Sequence, residues 1–253
     1  MARIASLIAL ALLVPISIFA RDTRQELTVN LKFVPQEGVQ SNSPDLPPAM
    51  AEQPFELRVE DGRNAANPLT IGQGTNDDDK VFPINAGSDV VAYVREALQQ
   101  VASGWGLKSD EAKQRILTLR ITRFFVDESN KALGSVYASE VKLSYVLADA
   151  AGKRLAEGAA SGGAHRYGRA RSADNCSEVL SDALKEAFGD ALSNTELQAA
   201  WSSGKAAAAP AQGQAAPKES VEERLRKLDE LLKKGLITKE EYNAKRAEIL
   251  KDV

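Results

Sequence analysis

The sequence predicts an α+β protein: an antiparallel β-sheet with two amphipathic helices on one face, followed by a C-terminal two-helix hairpin. Three observations lead to this fold class. Several segments alternate apolar and polar residues with a period of two, and two longer segments repeat apolar residues with the helical period. Residues 221–253 carry a leucine stripe and a single glycine between two helix-like stretches. We therefore expect one folded domain with a small helical unit behind it.

Six segments predict the strands of the sheet. In the segment beginning at Phe55, apolar residues share one face and mostly charged residues share the other. The alternation over 117–122 and the longer one over 137–147 predict half-buried strands, and a turn at 149–152 leads into a return strand of small residues. The predicted strands are 27–34, 55–61, 69–72, 117–122, 137–147 and 154–165.

Two segments predict the helices of the domain. Ser88 is expected to cap the first, whose apolar face extends over 91–101. Asp174 or Asn175 is expected to cap the second, whose apolar face covers 180–192. The order of strands, helix, three antiparallel strands and helix predicts two helices on one face of a meander. The other face of such a sheet stays in water, which suits the charged alternate residues.

Residues 221–253 predict two short helices that meet at Gly235. The first has apolar residues at steps of four, three and four, and the second begins at a capping box of Thr238 and Glu241. A hairpin this small buries little surface, so its stripe needs a cover: its own second helix, another copy or a different protein. A weakly folded hairpin without a partner is the remaining alternative. The residues expected to bind a partner are Val221, Leu225, Leu228, Leu232, Leu236, Ile237, Tyr242 and Ile249.

The hairpin resembles a known family, the SHOCT domain (short C-terminal domain). The resemblance rests on spaced leucines followed by the run Gly-Leu-Ile-Thr-x-x-Glu-Tyr, which begins at Gly235 and ends at Tyr242. It implies a bacterial accessory module that serves oligomerisation or partner contact, and it implies no activity. Ahead of it, residues 202–220 consist mainly of Ala, Pro, Gly, Gln and Ser and predict a flexible linker that spans about 24 Å on average.

The first twenty residues predict a secretory signal. Arg3 precedes a short apolar run, and Ala20 precedes the polar residues that begin at Arg21. The run is short for a membrane span and is interrupted by Pro15. We therefore expect export to the periplasm or cell envelope, with cleavage after Ala20. An uncleaved anchor is the alternative that this segment leaves open.

Charge and cysteine content exclude several classes of function. The net charge of −3 argues against a dedicated nucleic-acid binder, which would present a basic face. The single cysteine, Cys176, cannot form an intrachain disulfide, and it is not placed just after the signal where a lipid anchor would need it. A lone cysteine of this kind is expected to be buried and inert.

Residues 27–201 resemble the YajG-like family of small bacterial envelope lipoproteins. The features that carry the resemblance are the early strand at Leu27, the segment 59–63, the helix over 91–101 that closes on Trp-Gly, and the turn 149–152 before a return strand. The family's lipid-bearing cysteine is missing here. The resemblance implies a fold and an envelope location, and it implies no defined activity. The predicted organisation is therefore a signal peptide at 1–20, a YajG-like α+β domain at 21–201, a linker at 202–220 and a SHOCT hairpin at 221–253.

No group of residues predicts catalysis, a cofactor or a metal. The acidic run Asp77-Asp78-Asp79 lacks the spacing of a calcium loop and predicts a solvated turn. His165 is the only histidine, so a hydrolase would have to pair it with Ser161, and the Gly-x-Ser-x-Gly elbow is absent. We expect His165 to lie at the surface near the end of a strand.

Two further segments could either bind a ligand or have only a structural role. The glycines over 72–74 and 158–163 lack the spacing of a phosphate-binding loop, and the second group is expected to let a helix or loop approach a strand closely. A local basic cluster in the loop before the last helix could make a weak contact with an anionic surface, although a solvated loop is the expected alternative. Its members are Arg166, Tyr167, Arg169 and Arg171.

The sequence therefore predicts a non-enzymatic exported envelope protein. Its hairpin would mediate self-association or docking to another envelope protein, without nucleic acid and without a cofactor. The alternative is a binding module for a small envelope ligand, such as a lipid or glycan fragment. That alternative requires an apolar cleft between sheet and helices, lined by Phe124, Tyr137 or Tyr145.

Overall fold

The computed structural model describes residues 22–40, 43–109, 115–131, 134–168 and 172–203, together with Tyr242, Lys245 and Arg246. The chain divides into two compact units, 1–206 and 207–253. The first unit is a mixed α+β domain. Its strands are β1 (Leu27–Val29), β2 (Phe55–Asp61), β3 (Thr70–Thr75), β4 (Val81–Ala86), β5 (Arg115–Lys131), β6 (Gly134–Asp149) and β7 (Arg154–Gly168). Its helices are α1 (Pro48–Glu52), α2 (Val90–Gly104), α3 (Ala173–Ser193) and α4 (Thr195–Ser203).

The seven strands form one mixed sheet, so the prediction of a purely antiparallel sheet is wrong. The strand order is β1-β4-β3-β5-β6-β7, and β2 also pairs with β5. The pairs β5–β6, β6–β7 and β3–β4 are antiparallel, as a meander requires. The pairs β1–β4, β2–β5 and β3–β5 are parallel. Alternation of residues reports which side of a strand is buried and does not report the direction of its neighbour.

The length of β5 explains the parallel pairs. One edge of β5 pairs with β6 along its whole length, while the other edge pairs first with β2 at 115–121 and then with β3 at 126–128. A register shift between Ile121 and Arg123 separates the two partners. Such a bulge bends the strand, so that the one long strand β5 pairs with β2 first and with β3 further along.

Several element boundaries differ from the prediction. Helix α2 is capped by Asp89, whose carboxylate accepts hydrogen bonds from the amides of Val91 and Ala92, so the prediction of Ser88 is wrong by one residue. Helix α3 begins at Ala173 without a side-chain cap. The predicted first strand ends at Val29, and its remaining residues, 30–34, have no regular secondary structure. Strand β4 and the short helix α1 were not predicted, and the second predicted helix, expected to run toward Trp201, is divided at Asn194 into α3 and α4.

Both long helices pack on the inner face of the sheet and on each other. Trp105, which follows α2, stacks on Phe188 of α3 with ring centroids 5.8 Å apart. Tyr93 of α2 meets Phe124 of β5 edge to face. At Gly162 on β7 an added Cβ would lie 2.2 Å from the carbonyl oxygen of Ala183, so backbone packs on backbone there. This close approach confirms the expected role of the small residues in β7.

Candidate functional site

Helix α3 carries a row of polar side chains that bind the segment 30–38, which has no regular secondary structure and turns at 36–37. The hydroxyl of Ser181 accepts a hydrogen bond from the amide of Val34 at 3.0 Å. The Asp182 carboxylate accepts one from the amide of Gln36 at 2.9 Å. Further along the helix, the ammonium group of Lys185 donates to the carbonyl of Gly38 at 2.9 Å. These bonds satisfy backbone groups that the sheet leaves unpaired after β1 ends.

A second row on α3 binds the edge strand of the sheet. Strand β7 is the last strand in the order, and the Glu186 carboxylate accepts the amide of Gly163 at 2.7 Å. The Asp190 carboxylate accepts the amide of Ser161 at 2.9 Å. Edge amides of this kind would otherwise be open to pairing with a strand of another chain. Helix α3 therefore covers part of the β7 edge.

A groove of about 650 Å³ lies between these two rows. Its floor is formed by α3, and its walls are formed by the segment around Gln36 and by β7 near His165. Burial raises the pKa of Asp182, and the neighbouring carboxylate of Glu37 adds to this effect, while the amide of Gln36 and the charge of Lys185 oppose it. The groove is acidic, and its α3 carboxylates at 182, 186 and 190 already accept backbone amides.

The predicted catalytic candidates do not come together. Ser161 and His165 lie on the same strand, four residues apart, which corresponds to about 13 Å of extended chain. This separation is too large for the direct hydrogen bond of a nucleophile and its base. Within the described ranges, no group of three or more His, Cys, Asp or Glu side chains could hold a metal ion.

The acidic turn at 76–79 binds the segment that begins at Asp22. The Asp77 carboxylate accepts hydrogen bonds from the amide of Asp22 at 2.6 Å and from the side chain of Asn130 at 2.5 Å. Asp79 adopts a left-handed conformation with φ of 57°, which suits the tight turn between β3 and β4. The prediction of a wholly solvated acidic loop is therefore too simple, because Asp77 fastens the N-terminal segment.

A buried ion pair lies next to this turn. Glu128 projects from the inner face of β5, and its side chain is 0% exposed. One of its oxygens accepts hydrogen bonds from Arg24 at 2.8 Å, Ser135 at 3.1 Å and Tyr137 at 3.2 Å. Burial opposes the charge of Arg24, but its bonds to Asp22 and Glu128 outweigh that effect and raise its pKa.

The sequence analysis missed this pair. One feature of the sequence could have indicated it: Glu128 is an acid at a position that the alternation assigns to the buried face. Phe124, Val126 and Glu128 occupy every second position of β5 and are all buried. Cys176 of α3 is fully buried nearby, and burial followed by the charge of Glu128 raises the pKa of its thiol to about 12. The thiol is therefore inert at neutral pH, as the sequence predicts.

The cleft that the small-ligand alternative requires is not formed by the residues proposed to line it. Phe124, Tyr137 and Tyr145 are each at most 2% exposed and belong to the packed core. Burial raises the pKa of both tyrosines to about 12, as expected of phenols held away from water. This packing removes the main support for a ligand between sheet and helices.

The basic cluster before α3 is only partly described. Arg166 forms an ion pair with Glu178 of α3, and the side chain of Tyr167 is half exposed. Arg169 and Arg171 lie outside the described residues. The pairing of Arg166 reduces the positive charge that this loop could present to an anionic surface.

Most of the predicted partner-binding residues of the hairpin lie outside the described residues, as does the predicted signal at 1–20. Tyr242 is the exception, and it is helical and partly buried. The residues concerned are Val221, Leu225, Leu228, Leu232, Leu236, Ile237 and Ile249. Among the helices that the structure describes, none has the length and apolar character to cross a membrane.

Three solved structures are among those similar to this chain. A protein from Xanthomonas campestris is 12% identical with a TM-score of 0.42, and the match covers 69% of this chain and 96% of that one. A candidate lipoprotein from Caulobacter crescentus is 17% identical with a TM-score of 0.28, covering 44% and 82%. A lipoprotein from Neisseria meningitidis is 14% identical with a TM-score of 0.19, covering 49% and 89%. Scores this low do not establish a shared fold.

Two family models match the sequence, whereas no curated protein does. The model of the short C-terminal domain, SHOCT, matches residues 223–250. A model described as an uncharacterized lipoprotein matches residues 42–201, which is more than half of the chain. Both resemblances expected from the sequence are thereby confirmed. This chain belongs to the uncharacterized lipoprotein (YajG-like) family and carries a SHOCT domain near its C-terminus.

Proposed function

We propose that this chain is an exported, non-enzymatic protein of the cell envelope whose C-terminal hairpin mediates self-association or docking to another envelope protein. Membership of a lipoprotein family implies an envelope location. The observation that carries the proposal is the SHOCT match at 223–250, which falls on the segment where residue spacing predicts an unpartnered apolar stripe. Neither family description carries an enzymatic activity.

The edges of the sheet support the proposal that the hairpin, rather than the folded domain, contacts a partner. Carboxylates of α3 occupy amides on the β7 edge, and the strand at the opposite end, β1, is only three residues long. Part of the β7 edge is therefore already occupied, and β1 is too short to pair extensively with another chain. The hairpin, which follows a predicted flexible linker, is the better candidate for contact with a partner.

The proposal predicts that disrupting the apolar stripe changes the assembly state. In the full chain, Leu228→Asp combined with Leu232→Asp places two charges on the stripe and lowers the net charge by two. Arg226→Asp lowers the net charge by the same amount on the polar side and is the matched control. Light scattering should give a mass above that of the monomer for the wild type and for the control, and a monomer mass for the stripe variant.

Equal masses for all three proteins would count against self-association. The docking form of the proposal would then need a partner that the wild type retains in a pull-down from envelope extracts and the stripe variant loses. Equal masses together with an unchanged set of captured proteins would contradict the proposed role of the hairpin. Fractionation of cells with N-terminal sequencing of the native protein tests the envelope location separately.

A further inference from the structure

A cavity of about 480 Å³ lies where β2 and β4 end and α2 begins. One wall is the loop after β2, from Asp61 to Leu69, and the other is the turn from Ala86 to Val91 that leads into α2. Its volume falls within the range of about 300–1,000 Å³ that is usual for small-molecule sites. The cavity shares no lining residue with the groove on α3, so it is a separate candidate site.

Arg63 is the buried polar side chain of this cavity. Its guanidinium group donates to the two oxygens of Asp61, at 2.9 and 2.8 Å, and to the carbonyl of Pro68 at 2.7 Å. The side chain is only 6% exposed, and among the described residues its Nη1 has no hydrogen-bond partner. A buried charged donor normally has an acceptor, because leaving it unsatisfied is costly. Nη1 therefore needs an oxygen that the described part of the protein does not supply.

An acceptor and an apolar surface lie beside Arg63. Asp89 caps α2 through one carboxylate oxygen, which accepts two amides of the first turn, so its other oxygen can accept from a ligand. Leu69 is 48% exposed and is one of four large apolar side chains at the surface of the described domain. Pro68 also lines the cavity. A ligand here would meet a donor, acceptors and an apolar surface together.

The charges around the cavity argue against several ligand classes. The charged residues that line it are Asp61, Arg63 and Asp89, and Arg120 lies against Gly62 in the same turn without lining the cavity. Two carboxylates and two guanidinium groups give no net charge that would attract an anion or a cation. The N-terminus of α2, which could otherwise hold an anion, is occupied by the carboxylate of Asp89.

Two further classes fit poorly. A metal ion would need more ligands, since the described residues contain no group of three or more His, Cys, Asp or Glu side chains that could hold one. A purely apolar ligand would leave Nη1 of Arg63 without an acceptor. A neutral ligand that carries hydroxyl groups and an apolar face satisfies both the polar and the apolar parts of the cavity.

We propose that this cavity binds a neutral sugar of one or two rings. An oxygen of the sugar accepts from Arg63, and sugar hydroxyls donate to Asp61 and Asp89. The C–H face of a ring covers Leu69 and Pro68. The site lies outside the core residues that the sequence predicted for a ligand cleft, and it does not depend on what the hairpin binds.

Titration of the full chain with three neutral disaccharides tests the proposal. The probes are maltose, cellobiose and N,N′-diacetylchitobiose at millimolar concentrations, and backbone amide shifts in NMR spectra locate the binding. We expect at least one of the three to shift amides within 61–69 and 86–91 in a saturable manner. Inorganic phosphate, as an anion, and spermidine, as a cation, should give no saturable shifts there.

Two substitutions have matched controls in this chain. Arg63→Gln should weaken sugar binding by about tenfold or more, because it removes a charged donor. Its control is Arg58→Gln, since Arg58 also pairs with a carboxylate two residues earlier but is 48% exposed. Leu69→Ser should weaken binding by about fivefold, because it removes apolar contact. Its control is Val81→Ser, which changes another exposed apolar side chain outside the cavity. Both controls should bind as the wild type does.

If Arg63→Gln disturbs the turn after β2, the comparison of Leu69→Ser with Val81→Ser keeps the test valid, because both side chains are largely exposed. Circular dichroism checks the folding of each variant. The proposal would be overturned by no saturable shifts with any of the three sugars, by shifts confined to other residues, or by equal affinities of Leu69→Ser and Val81→Ser. Saturable binding of phosphate or spermidine in the cavity would also overturn it. A failure of the proposed hairpin function would appear in mass and pull-down experiments and would leave these shifts unchanged.

Discussion

The two faces of the sheet both carry Arg–Glu pairs, but they hold them under opposite conditions. On the inner face, Glu128 of β5 is 0% exposed and pairs with Arg24, whose side chain is 23% exposed. On the outer face, Glu140 of β6 pairs with Arg123 and Lys142, and all three side chains are between 41% and 50% exposed. The same kind of ion pair is therefore needed for stability on the inner face, whereas on the outer face it can be removed with little loss of stability.

The cause of the difference is solvation. Two positive neighbours lower the pKa of Glu140, but water screens such a pair, so its net effect on folding is small. In the core, the pair offsets the cost of burying a carboxylate, and losing one member leaves that cost unopposed. How much a substitution of a charged residue lowers the stability of this domain is therefore decided by the burial of the ion pair and not by its mere presence.

The largest expected effect comes from removing the inner cation. Arg24→Met in the chain that begins at Arg21 should lower the free energy of unfolding by about 3 kcal/mol, because it leaves Glu128 buried without a counter-ion. Arg123→Met, the outer-face counterpart, should lower it by less than about 1 kcal/mol. Urea unfolding followed by circular dichroism measures both. Equal losses for the two variants would break the contrast between the faces.

A smaller effect is expected at two adjacent glycines of β7. Gly162→Ala should cost about 1–3 kcal/mol, because the new Cβ would lie 2.2 Å from the carbonyl oxygen of Ala183 and force α3 outward. Gly163→Ala faces the exposed side, where the nearest atom outside its neighbours is 3.4 Å away, and should change stability by less than about 0.5 kcal/mol. The same unfolding measurement compares them, and the reverse ranking would show that α3 does not pack on Gly162.

The smallest effect concerns the buried thiol at alkaline pH. The pKa of Cys176 rises from 9.0 to about 12 in the folded domain, so folding favours the neutral thiol. The contribution of the thiol to the free energy of unfolding is therefore fully present below pH 9 and is lost as the pH rises from 9 to 12. It is lost because the thiol of the unfolded chain releases its proton at a lower pH than the thiol of the folded domain. At pH 10 the loss should be about 1.4 kcal/mol.

Cys176→Ala isolates this contribution from that of the buried tyrosines. The wild type should lose stability between pH 8 and pH 10 more steeply than the variant, while the tyrosines affect both proteins alike. Urea midpoints at the two pH values give the difference. Parallel losses would mean that the thiol is less buried than the fold requires.

The contrast between the faces also explains which features the sequence could predict. Alternation in β5, β6 and the helical period of α2 and α3 follow from burial of one side, so the layer arrangement was predicted correctly. The direction of β2 and β3 relative to β5 was not, because it depends on long connections rather than on local pattern. Strand β4 was missed because Pro83 and Asn85 interrupt its apolar residues.

The polar contacts were the hardest features to predict. The bonds of Ser181, Asp182 and Lys185 to the segment 30–38 join residues about 150 positions apart in the chain, and nothing local indicates them. Glu128 left a visible signal as an acid on a buried face, but its counter-ion lies 104 residues away. By contrast, the expected surface position of His165 followed directly from the strand pattern, and its side chain is exposed.

Crosslinking in intact cells tests the central claim, the role of the hairpin, most directly. The full chain, the stripe variant Leu228→Asp/Leu232→Asp and the control Arg226→Asp have the same lysines, so an amine-reactive crosslinker can act on each alike. We predict crosslinked species, formed with another copy or with an envelope protein, for the wild type and the control and their loss in the stripe variant. The same species at the same yield in all three proteins would contradict the account.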